Sequence, residues 1–304
     1  MHNVKIINIS IVCAVLLLSC SHFKSKPPDT SSLAGLQAMA NTDQNKIKKP
    51  VMNKIREMGL KETALSLGAQ SGLAWRAKVI DNQLIRQAQN LDTIYDFNAL
   101  ILEHNILPPV LLEGRNTFNL ADTQTIRISD RTYKVAKQAR FVTTPPTWRQ
   151  YLWLDYKQPE APHASLLPKT KQERDLWCYY VEQGWKNGID QANTILEESI
   201  ARIKEDFTGM ILYRQLLSMN MVSPPYVSHT DLGITGDSAE MHIDDQVLRI
   251  TALPRLNINA NEWHAAVTKE ENNLERFNRM EKLALNAEIK ITDRAWQPII
   301  TPIY

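Results

Sequence analysis

The chain has 304 residues, a formal net charge of +2 and 22% charged residues. A charge this close to neutral gives no extended positive field, which disfavours a protein that binds DNA directly. The hydrophobic share of 43% is that of an ordinary globular protein, and the length allows one large domain or two modest ones.

A short apolar segment lies near the N-terminus. It runs from Ile6 to Leu18, follows Lys5 and is interrupted by two polar residues. A charged residue, an apolar run and a small residue at its end are typical of a secretion signal. A membrane-spanning helix needs about 20 apolar residues, so we expect residues 1–19 to be a removable signal and not a permanent anchor.

The end of this signal, Leu17-Leu18-Ser19-Cys20, resembles the lipobox of bacterial lipoproteins. The resemblance implies that Cys20 is acylated and becomes the mature N-terminus. A plain secretion signal cut near Ser19 is the alternative. Ser21, a residue other than Asp after the cysteine, implies export to the outer membrane. One acyl chain contributes about 0.8 kcal/mol per buried CH₂ and binds only marginally, so lasting attachment needs the two or three chains of a lipoprotein.

Cysteine usage agrees with export. Cys13 would leave with the signal and Cys20 would be acylated, so only Cys178 remains and no intramolecular disulfide can form. We therefore expect a hydrophobic core to stabilise the fold, with Cys178 packed in it as a small apolar residue.

Composition divides the mature chain into three parts. Residues 20–56 are rich in Ser, Pro, Lys and Asn, which predicts a flexible linker behind the lipid. Residues 57–261 have the apolar periodicity of a folded core domain. Residues 262–304 are typical of an amphipathic helix followed by a proline-punctuated tail, which either folds back or docks on a neighbour.

Two long helices are predicted in the core domain. The first covers about residues 61–104, where apolar side chains recur every three or four positions, and Pro108-Pro109 ends it. The second begins with a capping box between Thr170 and Glu173 and continues to about residue 220.

Residues of β type follow the first helix. They form three segments, residues 110–120, 125–128 and 132–142, with a turn predicted near Ser129-Asp130. The alternation of Ile126 with Ile128 and of Tyr133 with Val135 predicts a hairpin with one face exposed to solvent. A short helix after Pro145-Pro146 carries three aromatic residues that we expect in the core, namely Trp148, Tyr151 and Trp153.

The second half of the chain echoes the first. LEHNILPPV from Leu102 resembles LSMNMVSPPY from Leu217, and IRISDRTYKV from Ile126 resembles MHIDDQVLRI from Met241. Two copies of a unit of helix, proline pair and hairpin are implied, with chance similarity as the alternative. The hairpins would pair into one mainly antiparallel sheet under the two long helices, so the predicted fold class is α+β.

No catalytic signature is found in the sequence, which lacks glycine-rich phosphate loops, HExxH, GxSxG and paired CxxC motifs. His229, Asp231 and His242 are residue types that bind zinc, and a zinc site would suit a hydrolase. The favoured interpretation is structural, with His242 on the solvent face of a strand and with Asp244-Asp245, like Asp130, in a hairpin turn. We therefore expect no catalytic residue, no metal and no cofactor.

Three segments carry a specific resemblance: DNQLIRQAQNLDTIYDFNALI from Asp81, LPPVLLEGRN from Leu107, and MNMVSPPYVSHTDLGITGD with the following MHIDDQVLRITALP run, which ends at Pro254. In these segments the chain resembles the DotC family, outer-membrane lipoproteins of type IVB (Dot/Icm) secretion systems with relatives in conjugative transfer. The resemblance covers about residues 61–257, and the helix and tail after Trp263 have no close match.

The resemblance implies a non-catalytic structural protein of the outer-membrane core complex, facing the periplasm and serving the export of effectors or DNA–protein substrates. Its implied partners are a DotD-like lipoprotein, DotH-like, DotG-like and DotF-like subunits, and outer-membrane lipid at Cys20, with no direct contact to nucleic acid. Two other classes stay open: a lipoprotein hydrolase that uses His229, Asp231 and His242, and a peptidoglycan-binding lipoprotein.

Overall fold

The computed structural model describes residues 29–41, 54–265, 268–289 and 291. The predicted signal and Cys20 lie outside these residues, as do residues 292–304. Helices and antiparallel strands are both present, so the predicted α+β class is confirmed.

The helices are α1 (Leu33–Ala38), α2 (Lys54–Arg86), α3 (Ala88–Ile94), α4 (Trp148–Leu152), α5 (Lys171–Ser218) and α6 (Thr268–Leu285). The strands are β1 (Ile106–Leu107), β2 (Val110–Asp122), β3 (Thr125–Lys137), β4 (Arg140–Phe141), β5 (Tyr226–Gly236) and β6 (Met241–Ala252). Among the helices that the structure describes, none combines the length and the apolar character needed to cross a bilayer.

The described chain divides into two compact units. The first contains residues 29–41, 54–71 and 158–186, and the second contains residues 72–157, 187–265, 268–289 and 291.

Two glycines bring α2 and α5 into backbone contact in the first unit. A Cβ added to Gly68 would overlap the carbonyl oxygen of Val181, and a Cβ added to Gly184 would overlap that of Leu65. The helices approach this closely because neither glycine has a side chain. The buried residues of this unit include Leu60, Ala64, Leu67, Trp177 and Val181.

Helix α1 also belongs to the first unit. Ser32 caps it by accepting a hydrogen bond from the Gly35 amide at 3.1 Å, and Leu33 and Leu36 are buried. The indole of Trp177 donates to the Leu36 carbonyl oxygen at 3.1 Å. The predicted flexible linker over residues 20–56 therefore does not hold at α1, because the cap and the buried leucines offset the entropy cost of ordering.

Replacing Gly184 with alanine should lower the free energy of unfolding by about 1–3 kcal/mol, because the new methyl group would push two helix backbones apart. Gly59 of α2, in contrast, has open space where a Cβ would lie. Gly59→Ala should therefore raise stability by about 0.5–1 kcal/mol through helix propensity. Urea denaturation of both variants measures the two effects, and a stabilising Gly184→Ala would contradict the close approach.

A buried ion pair joins the start of α2 to the start of α5. Arg56 Nε donates to Glu173 Oε1 at 2.6 Å, and the Glu173 side chain is 2% exposed. Burial raises the pKa of Glu173, but hydrogen bonds from Arg56 and from the Lys169 and Thr170 amides outweigh it, so the pKa lies below its ordinary value. The Glu173 amide donates in turn to Thr170 Oγ1 at 3.2 Å, which confirms the predicted capping box.

Because the folded-state pKa of Glu173 is depressed, its contribution to stability is present above the unfolded value near 4.5 and is lost as pH falls through the folded value. Arg56→Met should cost about 2 kcal/mol at pH 7, less than a fully buried pair because Arg56 is one-third exposed. In thermal melts below pH 4.5, the difference in stability between Arg56→Met and the unmodified protein should become smaller. Lys186→Met, which removes an exposed pair with Glu182, should cost at most about 0.5 kcal/mol; a similar loss in both variants would contradict this account.

The core of the second unit is aromatic. Phe207 of α5 meets Phe97 edge to face at 5.0 Å between ring centroids, and Tyr151 stacks on Phe97 at 5.7 Å. Trp148 is buried and its indole donates to Asp92 Oδ1 at 2.6 Å. The predicted core positions of Trp148 and Tyr151 are thus confirmed. That of Trp153 is wrong, because this residue follows the end of α4 and is 41% exposed.

Helix α6 folds back on this second unit. Phe277 and Ala284 are buried in its core, and Gln215 Nε2 of α5 donates to Asn278 Oδ1 at 2.9 Å. Ile289 and Ile291 are partly buried against the same core. The alternatives of folding back or docking on a neighbour concern the tail from residue 289, and because residues 292–304 lie outside the described residues, they stay predictions.

The first long helix ends earlier than predicted. Helix α2 stops at Arg86, and α3 and a 3₁₀ turn at Phe97–Leu100 follow, where the sequence pattern indicated one helix to residue 104. Tyr95 leaves the helical region with φ −104° and ψ 55°, and Asp96 then caps the 3₁₀ turn by accepting from the Ala99 amide. The spacing of the apolar residues survives because the broken segments keep the same side toward the core.

The predicted single sheet is wrong for the described residues. Strands β2 and β3 form one two-stranded antiparallel sheet, here called hairpin 1, and β5 and β6 form another, here called hairpin 2. The only further sheet there is the short pair of β1 with β4.

The two copies of the repeat agree in local geometry. Asn105 and Asn220 occupy equivalent positions before the proline pairs, and both are left-handed, with φ 56° and 58°. Shortly after each asparagine, the backbone pairs with the segment that follows the hairpin. In the first copy β1 pairs with β4, and in the second Val222 pairs with Leu256. Each copy thus has a closed base, a proline pair and a long hairpin.

Candidate interaction surfaces on the two hairpins

The base of hairpin 1 is fixed to helix α5. Val110 and Leu111 are 1% exposed, and a Cβ on Gly209 would lie 2.7 Å from the Leu111 carbonyl oxygen, so the strand runs directly over the glycine. Lys137 Nζ lies 2.7 Å from Asp206 Oδ1, and the Asp206 side chain is only 5% exposed. Packing and a charge-assisted hydrogen bond therefore hold both strands at the same end.

Asp206 also accepts a hydrogen bond from the Tyr151 hydroxyl at 2.9 Å. Burial, followed by the charge of Asp206, raises the pKa of Tyr151 well above its ordinary value. Tyr151 therefore stays a neutral donor, and the Asp206 carboxylate has partners from both the core and the hairpin.

The base of hairpin 2 lies at the C-terminal end of the same helix. Tyr213 and Leu216 of α5 form a buried cluster with Leu111 and Val222. The Tyr213 hydroxyl donates to the Ser223 carbonyl oxygen at 3.3 Å. Both hairpins are thus attached through their bases to the last turns of one helix.

Away from its base, hairpin 1 has an apolar face that is exposed. Phe118 pairs with Ile128 and Leu120 with Ile126 across the strands, so these four side chains lie on one face. They are between 60% and 70% exposed. We call them tip face 1. The opposite face at the same level carries Thr117, Asn119, Arg127 and Ser129.

Hairpin 2 has a corresponding face. Thr235 pairs with His242, so Ile234 and Ile243 lie on the opposite side of the ribbon, together with Met241. These three side chains are between 64% and 69% exposed, and we call them tip face 2. In the repeat, Met241 and Ile243 are equivalent to Ile126 and Ile128. The same apolar face is therefore present in both copies.

Exposed apolar side chains clustered on one face of an ordered ribbon are typical of a binding surface. Covering a Leu, Ile or Phe side chain completely contributes about 1.5–3 kcal/mol, so either tip face would contribute several kcal/mol on binding a partner. The distance from Val110 to Phe118 along an extended strand is about 26 Å, which places tip face 1 well away from the buried base of hairpin 1.

The residues predicted as candidate zinc ligands do not converge. His229 Nε2 lies 2.9 Å from Gln246 Oε1, Asp231 Oδ1 accepts from the Gly233 amide, and His242 Nε2 is 3.6 Å from Glu240 Oε1. In the part of the chain that the structure describes, no group of three His, Cys, Asp or Glu side chains is arranged to hold a metal ion.

The turn positions predicted for Asp130 and for Asp244-Asp245 are wrong, since all three residues lie within strands. The hydrogen bonds to the turn amides are instead accepted by Asp122 and Asp237. Asp122 Oδ1 accepts from the Gln124 amide at 2.7 Å, and Asp237 Oδ1 accepts from the Ala239 and Glu240 amides. These backbone hydrogen bonds lower the pKa of Asp237.

A cleft of about 400 Å³ lies between the base of hairpin 2 and the turn before β1. Arg214 lines it together with Glu103 and His104. Burial lowers the pKa of Arg214, and its guanidinium lies 5.3 Å from the centre of the Phe277 ring. The described residues place no carboxylate in a salt bridge with Arg214, but Glu103 in the same lining adds a negative charge, so the cleft has no clear preference for an acidic group.

The sequence pattern did not reveal the tip faces, because alternation was taken to mean one buried face. One signal for them was present: Phe118, Leu120, Ile126 and Ile128 recur as a similar apolar set in the second copy.

Because tip face 1 is exposed, the double change Phe118→Thr with Ile128→Thr should alter the free energy of unfolding by no more than about 0.5 kcal/mol. Leu111→Ala, on the same strand but at the buried base, should cost about 2–5 kcal/mol. Urea titrations compare the two. A loss in the tip variant as large as that of Leu111→Ala would mean that the chain itself covers tip face 1.

The family described as type IV secretory system, conjugal DNA-protein transfer, matches residues 54–265. The chain belongs to this family. The match includes both long helices, both proline pairs and both hairpins, so the surfaces described above lie within the shared region. No curated protein matches the chain. Family membership makes the chain a component of a type IV secretion system.

Proposed function

We propose that this chain is a lipid-anchored, non-catalytic structural subunit of the outer-membrane core complex of a type IVB (Dot/Icm-like) secretion system, related to DotC. The observation that carries the proposal is the family match over residues 54–265. The lipobox-like segment at Cys20 lies outside this match and is a separate signal for attachment. A structural role fits a body whose ordered hairpins carry a pair of exposed apolar faces.

The anchor and the body are separated by a short tether. From Cys20 to Leu33, the first buried residue of the described chain, a fully extended chain spans at most about 45 Å and a coil about 20 Å. The first unit would therefore stand close to the inner surface of the outer membrane, in the periplasm. The hairpin tips are then free to contact other subunits.

In this role the partners are a DotD-like lipoprotein and DotH-like, DotG-like and DotF-like subunits, and the exported cargo is an effector or a DNA–protein substrate. The chain contributes position and contact surface, and it needs no cofactor and no contact with nucleic acid. Its net charge of +2 gives no field that would hold DNA.

Cys20→Ala should move the protein from the outer-membrane fraction to the soluble periplasmic fraction and reduce assembly of the secretion complex, because acylation needs the thiol. Cys178→Ala, which removes a half-buried thiol in α5, should leave the distribution unchanged. Fractionation and metabolic labelling with an alkyne fatty acid measure both. The anchor is excluded if neither the unmodified protein nor Cys20→Ala takes up the fatty-acid label, and if the variant stays in the outer membrane and supports secretion.

Affinity purification from detergent-extracted membranes tests the assembly role. The chain should be recovered with DotD-like and DotH-like subunits at a fixed ratio. Recovery as a free protein, with secretion unaffected by its deletion, would contradict the proposal.

A further inference from the structure

The geometry points to a second copy of this chain as the occupant of the tip faces, with tip face 1 of one copy packed against tip face 2 of the next. This inference rests on the proposed structural role, in which attachment to a membrane concentrates the copies. Its argument comes from the exposure of the two faces, their equivalence and their charge.

Each chain carries two equivalent apolar faces that do not cover one another. Phe118 and Ile128 of tip face 1 are 70% and 66% exposed, and Ile234 and Ile243 of tip face 2 are 69% and 64% exposed. Apolar side chains on two flat ribbons pack face to face in the way that two sheets pack in a sandwich. The complementary surface for either face is therefore present on every other copy.

The charges of the two hairpins favour contact between tip face 1 and tip face 2 over contact between two like faces. Hairpin 1 has five basic and three acidic side chains, and since Lys137 is paired with Asp206 of α5 at the base, a net charge of +1 remains for a partner. Hairpin 2 has five acidic side chains and Arg249, a net charge of −4. Packed sheets lie about 10 Å apart, close to the Debye length at 0.1 M salt, so these charges act across the contact. Pairing two copies of hairpin 2 brings like charges together, and pairing hairpin 1 with hairpin 2 brings opposite ones.

The same charges argue against lipid as the occupant. A tip that inserted its apolar face into a membrane would bring the charges of its hairpin to the headgroups, which are commonly anionic. Hairpin 2 would be repelled, since Asp231, Asp237, Glu240, Asp244 and Asp245 all lie in its outer part. Both faces are equivalent in the repeat, so one kind of occupant should account for both.

A contact between two different faces leaves a free face at each end. Copies therefore add in series, either closing into a ring or continuing as an open chain. Each face has only three or four large side chains, which is well below the roughly 800 Å² per partner of a stable complex. The contact is consequently weak for two isolated molecules and is repeated along the series.

Thiol crosslinking with a bifunctional maleimide, in cells that produce the full chain, tests the contact directly. The chain carries Cys178→Ala together with Ile128→Cys and Ile243→Cys, and the reagent has a spacer of about 10 Å. Facing Cα atoms of packed sheets are about 10 Å apart, which is too far for a disulfide but within reach of this spacer. We expect a ladder of dimers, trimers and larger species on a denaturing gel, because each chain has one thiol of each kind.

Four controls make the result specific. Either cysteine alone should give little dimer, while co-expression of the two single-cysteine chains should give dimers and nothing larger. The matched pair Asn119→Cys with His242→Cys lies on the same hairpins but on the opposite faces, and it should give no ladder. Reversing charge with Arg127→Glu should reduce the ladder several-fold, and adding Glu240→Lys should restore part of it.

Each other outcome overturns the inference. Dimers from one single-cysteine chain alone would indicate like faces in contact, and a fast-migrating monomer would indicate contact within one chain. Monomers whose tip thiols are protected from maleimide only by vesicles of phosphatidylglycerol would indicate lipid. If crosslinks are absent while Cys20 labelling and co-purification with DotD-like and DotH-like subunits persist, the inference fails and the proposed function stands.

Discussion

The attachment of both hairpin bases to the end of helix α5 is the constraint on which the rest of this structure depends. Gly209 lets the first strand cross the helix, Lys137 is bound to the nearly buried Asp206, and Tyr213 holds the chain before hairpin 2. A two-stranded ribbon alone is only marginally stable in water. Fixing one end to a helix that is itself buried in an aromatic core gives the ribbon a defined direction while its far end stays uncovered.

In this arrangement the residues that stabilise the fold are separate from the residues that are exposed for contacts. At the bases, Val110, Leu111 and Val222 are buried and add to the core, whereas Phe118 and Ile243, on strands of the same two hairpins, contribute little to it. Selection for binding can therefore change the tips without unfolding the body. The repeat extends this logic, since two equivalent ribbons with opposite net charge come from one structural unit.

Local features were predictable from the sequence, and long-range ones were not. The capping box of Thr170 and Glu173, the proline pairs and the existence of two hairpins follow from interactions over a few residues, and the structure has them. The end of α2 at Arg86 was not foreseen because the break at Tyr95 keeps the apolar spacing intact. The turn of hairpin 1 was placed at Ser129-Asp130, since these residue types favour turns, but Asp122 supplies the hydrogen bond to the real one. Whether an alternating strand is covered depends on distant elements, and for the tip faces the sequence pattern gave the wrong answer.

Two-stranded ribbons have unpaired amides and carbonyls along both edges, which invites further strands and uncontrolled aggregation. Asn116 in β2 and Asp244 in β6 interrupt these edges, because both adopt the left-handed conformation, with φ 48° and 58°. The register of hairpin 2 also shifts around Gly233. Such irregularities bend a strand and disfavour the pairing of a third strand at its edge. The two ribbons are thereby protected from growing into fibrils, while their flat sides remain exposed.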